Sequence, residues 1–240
     1  VRYVIFGIGR VGPSMAGWLA HLGHSVIVIT HAEAAARSPA CLSALASCDV
    51  AAAAVPDGAI AGWRETFRAE LEGKLAIHFS GALLVEGLYS YHPLFSFPRT
   101  PLAPETMDRI VFAHQDGAPP LGEAFPGAPN PSFAVADADR AYYHALAVLS
   151  GNFAAYLWNE TAKGLAGRLG LNPAEVLAPY LEGIVARFAE SPYDSLTGPV
   201  ARRDRASIDA NLSALSGEPR LERLYRAFLD SAWPDHRRAK

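Results

Sequence analysis

The sequence predicts a chain of two parts, an α/β fold built on a parallel sheet followed by an all-helical carboxyl half. Three observations carry this. Apolar strand-like runs alternate with helical periodicity through the first hundred residues. A glycine-rich turn sits directly after the first of those runs. From about Asp137 onward the pattern is helical, with no further strand signal.

The first run, Arg2 to Phe6, is β-branched and aromatic, as strands are. It ends in GIGRVG, where Gly7, Gly9 and Gly12 are spaced G-x-G-x-x-G around Ile8, Arg10 and Val11. Met15, Leu19 and Leu22 then repeat at helical spacing, Gly23 stops the helix, and SVIVIT (25–30) is a second apolar strand. Strand, glycine turn, helix and strand in this order form the βαβ unit of a Rossmann dinucleotide site. In such a unit Gly7 permits the tight turn, Gly9 lets backbone approach a pyrophosphate, and Gly12 lets helix pack on strand. The helix N-terminus offers free N–H groups and partial positive charge to the phosphates.

The end of the second strand bears on cofactor choice. An NAD site places an acid there for the ribose 2′-OH. Here the strand ends in Thr30 and His31, and Arg37 is the nearest arginine, so NADP is expected. The alternative is that Glu33 reaches the ribose and the cofactor is NAD. The stretch between Arg37 and Cys48 is short and reads as a trimmed part of the Rossmann half. A strand follows over 49–56, then Asp57 and a helix with Trp63, Phe67 and Leu71, then the strand KLAIHFSG ending at Ser80 and Gly81. Strand carboxyl ends line the ligand crevice of a parallel sheet, which makes Val55, Pro56 and Asp57 candidate cofactor contacts and Ser80 a candidate substrate contact.

The middle is rich in turns. His92-Pro93 is a stiff dipeptide, extended or turned. Ile110 to His114 reads as one more short strand, and the Gly/Pro-laden 116–131 as a surface loop. The boundary between the two domains is expected at 134/135. A long helix is predicted from about Asp137 to Leu169, ended by Gly170. Asn172-Pro173 opens the next, with Glu175 as capping-box partner, and two shorter helices cover roughly 205–215 and 218–231. On the long helix His144, Val148 and Asn152 are spaced to share a stripe. A histidine and an amide there suit proton delivery to a carbonyl or imine.

Composition removes several function classes. The formal net charge of -3 argues against nucleic acid as the main partner. No apolar run approaches the roughly 20 residues that span a bilayer, and the apolar start VRYVIFGIG reads as a strand, so a cytoplasmic location without membrane contact is expected. Cys41 and Cys48, seven residues apart on a predicted helix, are too distant to bond and read as small buried residues, with no metal site.

Six segments carry a family resemblance: GIGRVG (7–12), AVPD (54–57), HFSGAL (78–83), YHPLFSFP (91–98), RAYYHALAVLSGNF (140–153) and LTGPVARRD (196–204). Through them the chain resembles bacterial Rossmann proteins whose second, all-helical domain is related to that of 6-phosphogluconate dehydrogenase. Ketopantoate reductase and pyrroline-5-carboxylate reductase are among the wider relatives. The resemblance implies cofactor contacts at Gly7, Gly9, Gly12, Pro56 and Asp57. It implies cleft positions for Ser80, His92, His144, Asn152, Thr197, Arg202 and Asp204, and a homodimer joined through helices. Dehydrogenases of this group often use a helix lysine four residues before an asparagine. With that asparagine at Asn152, Val148 stands where the lysine would be, which leaves His144 as the proton donor. The expected function is an NAD(P)-dependent reductase of a small carbonyl or imine, with Arg202 pairing with a substrate carboxylate. The alternative is a nucleotide-binding sensor or scaffold without turnover.

Overall fold

In the computed structural model, residues 1–237 are described, and the chain forms two compact units, Val1–Leu149 and a second beginning at Ser150. The first unit contains β1 (Arg2–Phe6), α1 (Val11–His21), β2 (Ser25–Ile29), α2 (His31–Ala35), α3 (Pro39–Ser47), β3 (Val50–Ala53), α4 (Asp57–Thr66), α5 (Arg68–Leu71) and β4 (Leu75–His78). It continues with β5 (Tyr89–Pro93), α6 (Pro104–Met107), β6 (Phe112–Gln115), α7 (Leu121–Ala124), β7 (Ser132–Val135) and α8 (Arg140–Ala147). The seven strands form one sheet in the order β2-β1-β3-β4-β5-β6-β7.

The strands from β1 to β5 run parallel, so their carboxyl ends open on one side of the sheet. The alternation of β1 explains the two layers. Tyr3 and Ile5 join Met15, Trp18 and Leu19 of α1 in one apolar cluster. Val4 and Phe6 join Cys41 and Leu45 of α3, and Ile60 and Trp63 of α4, in the other. All four residues of β3, Val-Ala-Ala-Ala, are buried, as befits a strand covered on both faces. Cys41 and Cys48 are both buried and free, as expected.

The middle of the chain is more ordered than its turn-rich sequence suggests, for physical reasons. Of the two forms expected for His92-Pro93 the extended one holds, within the strand Tyr89–Pro93, which pairs with β6 antiparallel, Tyr91 opposite His114 and His92 opposite Ala113. Pro93, lacking an N–H, ends the strand, and the Leu94 N–H makes the next bond, to the Val111 carbonyl (2.9 Å). Ser132–Val135, with no strand signal of its own, pairs parallel with β6 and closes the edge. The segment 116–131 is not a bare surface loop: Leu121, Ala124 and Phe125 enter the core. It is tied down by Tyr3 Oη donating to the Ala124 carbonyl (2.7 Å) and Tyr91 Oη to that of Pro119 (2.6 Å). The stretch between Arg37 and Cys48, expected to be trimmed, holds the helix α3 and no strand, so β2 is left at the sheet edge.

The units divide between Leu149 and Ser150, inside the long helical stretch rather than at 134/135 before it. The cause is Arg140: its buried guanidinium ties α8 to the sheet by bonds to Ser80 and Ser90. Val148–Phe153 winds as a π-helix, so α-helical spacing does not run from His144 through to Asn152 as the expected stripe requires.

The second unit holds α9 (Ala154–Leu169), α10 (Pro173–Glu190), α11 (Gly198–Ala201), α12 (Arg205–Ala214) and α13 (Pro219–Ala232). Gly170 ends α9 at φ 66°, the left-handed C-cap that glycine adopts without strain. Asn172 caps α10 through the Ala174 N–H, but Glu175 accepts from the Asn172 side-chain amide and not from its backbone, so the pair is no capping box. Asp204 caps α12 through the Ser207 N–H. Val200, Ile208, Leu229 and Trp233 form a small buried cluster. Among the described residues no helix is long and apolar enough to cross a membrane.

Candidate functional site

The turn after β1 is shaped by contacts that only glycine permits. Gly7 has φ +118°, and a Cβ there would stand 2.2 Å from the Ala54 carbonyl oxygen. A Cβ on Gly12 would stand 2.1 Å from the carbonyl oxygen of Gly7. Gly9 is different: a Cβ there would meet nothing within 4 Å, so this position opens to space. Behind it α1 starts with no side-chain cap and no acidic residue in its first turn. Its leading N–H groups are therefore left to a ligand, and a diphosphate is the group such a terminus attracts.

Beside the turn lies a cleft of ≈ 360 Å³ at the carboxyl ends of β1, β2 and β3. Its walls include Gly7 to Gly9, Thr30, His31, Val55, Pro56 and the rings of Trp63 and Phe67. The lining is mostly apolar, with no carboxylate, and the buried indole N–H of Trp63 has no partner. Apolar walls beside a bare glycine turn are the kind of surface that accepts the adenosine end of a dinucleotide. At its mouth Thr30 and Glu33 form a capping box on α2. The Glu33 carboxylate accepts from the Thr30 N–H (2.8 Å) and hydroxyl (2.6 Å), which holds it below the usual carboxylate range. The guanidinium of Arg37 bonds the Thr66 carbonyl and pairs with Glu70, lying 5.3 Å over the Phe67 ring.

A second cluster forms where β4 and β5 end. Ser80 Oγ donates to Asp57 (2.8 Å) and accepts from the N–H groups of Ala82 and Leu83, which fixes the turn at Ser80-Gly81. The Ser80 carbonyl accepts from Ser90 Oγ (2.6 Å) and Arg140 Nη2 (3.2 Å). Arg140 is fully buried, and its Nε and Nη1 have no partner. His78 Nδ1 accepts from the Ser80 N–H (3.2 Å). Above the turn, His92 Nδ1 lies 2.8 Å from Tyr143 Oη, and the His92 and His144 rings stand edge-on with centroids 6.0 Å apart. Gly81 makes this possible: a Cβ there would lie 2.6 Å from His144 Cδ2 and 3.2 Å from His92.

Burial, with the nearby charge of Arg140, pushes His78 down to about 4. Burial first, then His144 and Arg140, pushes His92 down to about 4. Both imidazoles are neutral at pH 7. Burial raises the Tyr143 phenol, which keeps its proton there.

The structure thus brings Ser80, His92 and His144 together, and joins Asp57 to them through Ser80. Gly7, Ile8, Gly9, Thr30, His31, Val55 and Pro56 line the cleft. Arg10 is exposed and reaches the Phe97 carbonyl (3.3 Å), Val11 starts α1, and Arg37 faces Glu70. Asn152, Thr197 and Arg202 belong to the second unit, where all three are exposed. Sequence reasoning missed Tyr143, Arg140, Ser90 and His78. Arg140 and Tyr143 stand in the same RAYYHAL run as His144, a usable signal, but spacing alone does not say which of its faces turns inward. Among the described residues there is no His/Cys/Asp/Glu group that could hold a metal ion.

Fold and site together define a Rossmann-type α/β unit with a dinucleotide-shaped turn, followed by a helical unit. The chain belongs to the family described as a domain of unknown function (DUF2520), which matches residues 112–231, half of its length. It is similar in structure to a Bacteroides fragilis protein described as an NADP oxidoreductase (20% identity, 98% of each chain covered, TM-score 0.72). It is also similar to an imine reductase of Streptomyces aurantiacus (15% identity, 97% of this chain and 93% of that one, TM-score 0.66). A third likeness is to the pyrroline carboxylate reductase of Plasmodium falciparum with NADP bound (12% identity, 98% of each chain, TM-score 0.61). At these identities the likeness is one of fold. No curated protein matches the chain.

Proposed function

We propose that this protein is an NADP-dependent reductase of a small carbonyl or imine. The carrying observation is the bare turn at Gly9, open to space in front of an uncapped helix and beside a cleft that contains no carboxylate. Glu33, the acid that follows β2, is held by Thr30. That favours a 2′-phosphate over a free 2′-OH. Thr30 and His31 stand where such a phosphate would fall. Arg37 could turn to it at small cost, because its pair with Glu70 is partly exposed and such pairs contribute little. Similar structures include an NADP-bound reductase and an imine reductase, which supports the reaction class. The reduced nicotinamide would supply a hydride; the protein's part is to hold the substrate and provide a proton. Ser80, His92 and His144 are the residues assigned to that part. Asn152, Thr197 and Arg202 take no share in this support.

A symmetric homodimer belongs to the same proposal. α10 exposes Tyr180, Val185 and Phe188 at 66%, 61% and 55%, and none of its residues is buried. A helix that apolar is usually covered.

The test is ligand-dependent thermal unfolding with NADPH and NADH, on the wild type and on Gly9→Val. NADPH near a hundredfold over its Kd should stabilise the wild type by about 2.7 kcal/mol. The variant, whose side chain projects into open space, should melt at the wild-type temperature without ligand and gain nothing from NADPH. A wild type that responds to neither dinucleotide ends the proposal. Binding without turnover of any small oxo-acid or cyclic imine would favour the sensor alternative.

A further inference from the structure

We propose that Tyr143 is the acid that protonates the reduced substrate, with His92 as the group that reloads it. This rests on the reductase reading above and assigns its proton to an atom, the phenolic oxygen of Tyr143.

The geometry is a short relay. Tyr143 Oη and His92 Nδ1 are 2.8 Å apart, and their rings meet edge-on at 5.7 Å. Both partners are held from behind. His92 lies in β5, paired with Ala113 of β6. Tyr143 lies one turn along α8 from Arg140, whose guanidinium fastens the helix to Ser80 and Ser90. Phe133 packs edge-on against the Tyr143 ring at 5.8 Å. His144, the candidate expected from the sequence, shares no such hydrogen bond with His92; their ring centroids are 6.0 Å apart.

A neutral His92 can serve this pair as donor or as acceptor. A neutral imidazole carries one proton, on either nitrogen. With the proton on Nδ1, His92 donates to Tyr143 and leaves the phenol O–H free to point outward. When the substrate carbon receives a hydride, the C=O or C=N π pair moves to the heteroatom. The phenol O–H bond then breaks and an O–H or N–H bond forms on the substrate. The phenolate takes the Nδ1 proton of His92 as Nε2 takes one from solvent, and proton exchange with solvent, off Nε2 and onto Nδ1, restores the starting tautomer. The sum is one hydride from the reduced nicotinamide and one proton from water. Nε2 sits on the ring edge that faces Gly81, since Cδ2 and Cε1, the atoms flanking it, are each 3.2 Å from where a Cβ on Gly81 would stand. The charged and titratable groups acting on His92 are Arg140 and His144 of α8, which disfavour its charged form, and Asp57 at the start of α4, which favours it.

The experiment compares the wild type with Tyr143→Phe, which keeps the ring packing and removes one oxygen. Three readouts are taken: NADPH-dependent thermal stabilisation, reduction of 1-pyrroline and of pyruvate across pH, and the nitrogen-15 shifts of His92 in cofactor-free protein. The expected result is unchanged NADPH stabilisation, a loss of about a hundredfold or more in kcat, KM altered far less, and a His92 Nδ1 shift that moves with the substitution. A kcat within threefold of wild type overturns the proposal, and so does a His92 Nδ1 shift indifferent to the phenol. A wild type that binds NADPH but reduces neither probe also overturns it, while leaving the dinucleotide site standing. Absence of NADPH binding removes the parent reading and this one together, and is told apart by the first readout.

Discussion

Acid should unfold this protein in a window set by its buried histidines. His78 is fully buried, and burial with the charge of Arg140 pushes it down to about 4 from an ordinary 6.5. Above pH 6.5 the imidazole is neutral in folded and unfolded chains alike, and no stability hangs on it. Between pH 6.5 and 4 the unfolded chain binds a proton that the folded one refuses, so stability falls as pH falls; below 4 the loss levels off. A shift of this size corresponds to about 3 kcal/mol, a large share of the 5–15 kcal/mol that typically holds a domain together. His92, lowered for the same leading reason, adds loss in the same window. The carboxylates lowered by their partners, such as Glu33 and Asp49, lose their contribution only below their ordinary values of 4.5 and 3.8. The assay is urea unfolding at pH 7.5, 6.0 and 4.5, for the wild type and for His78→Asn. Asparagine can still accept from the Ser80 N–H but does not titrate. The wild type should lose stability steadily over this range, and the variant should lose about 3 kcal/mol less of it. Parallel pH profiles for the two proteins, or a His78 proton resonance titrating near 6.5, would refute the reasoning.

Two further outcomes follow from the same packing. Gly12→Ala forces a Cβ to within 2.1 Å of the Gly7 carbonyl oxygen, so it should destabilise the first unit by about 1–3 kcal/mol in chemical denaturation. Replacing Val185 and Phe188 by glutamate should leave the fold intact, since both are exposed, and convert the dimer to a monomer in light scattering; a wild type already monomeric at micromolar concentration contradicts the dimer.

Most of the α/β frame could be read from residue order. β1 and β2 are written as apolar runs, the turn between them as three spaced glycines, and the ends of α9 and α10 as Gly170 and Asn172-Pro173. These signals are local, because a left-handed cap or an N-cap needs only the residues on the spot. The strands β5 and β7 were illegible for the opposite reason. Their neighbours supply the hydrogen bonds that make them strands, β6 for β7 and both β4 and β6 for β5. The burial of Phe125 within a Gly/Pro-rich stretch has the same origin, since its partners Tyr3, Trp18 and Phe112 come from distant parts of the chain.

The candidate site divides along the same line. The tight turn at Gly7, Gly9 and Gly12 was legible from residue order, because backbone shape there depends on the absence of side chains. The sequence by itself also singled out Ser80, His92 and His144 as residue types able to bind and to move protons. Only the tertiary structure decided that these three meet, that Tyr143 and not His144 shares a hydrogen bond with His92, and that Glu33 is held by Thr30. Only the packing shows that Arg140 lies buried against Ser80 and Ser90, and that burial, aided by its charge, keeps His78 and His92 neutral. Those outcomes depend on which faces of α8, β4 and β5 are pressed together and cut off from water, and spacing along the chain carries no record of that.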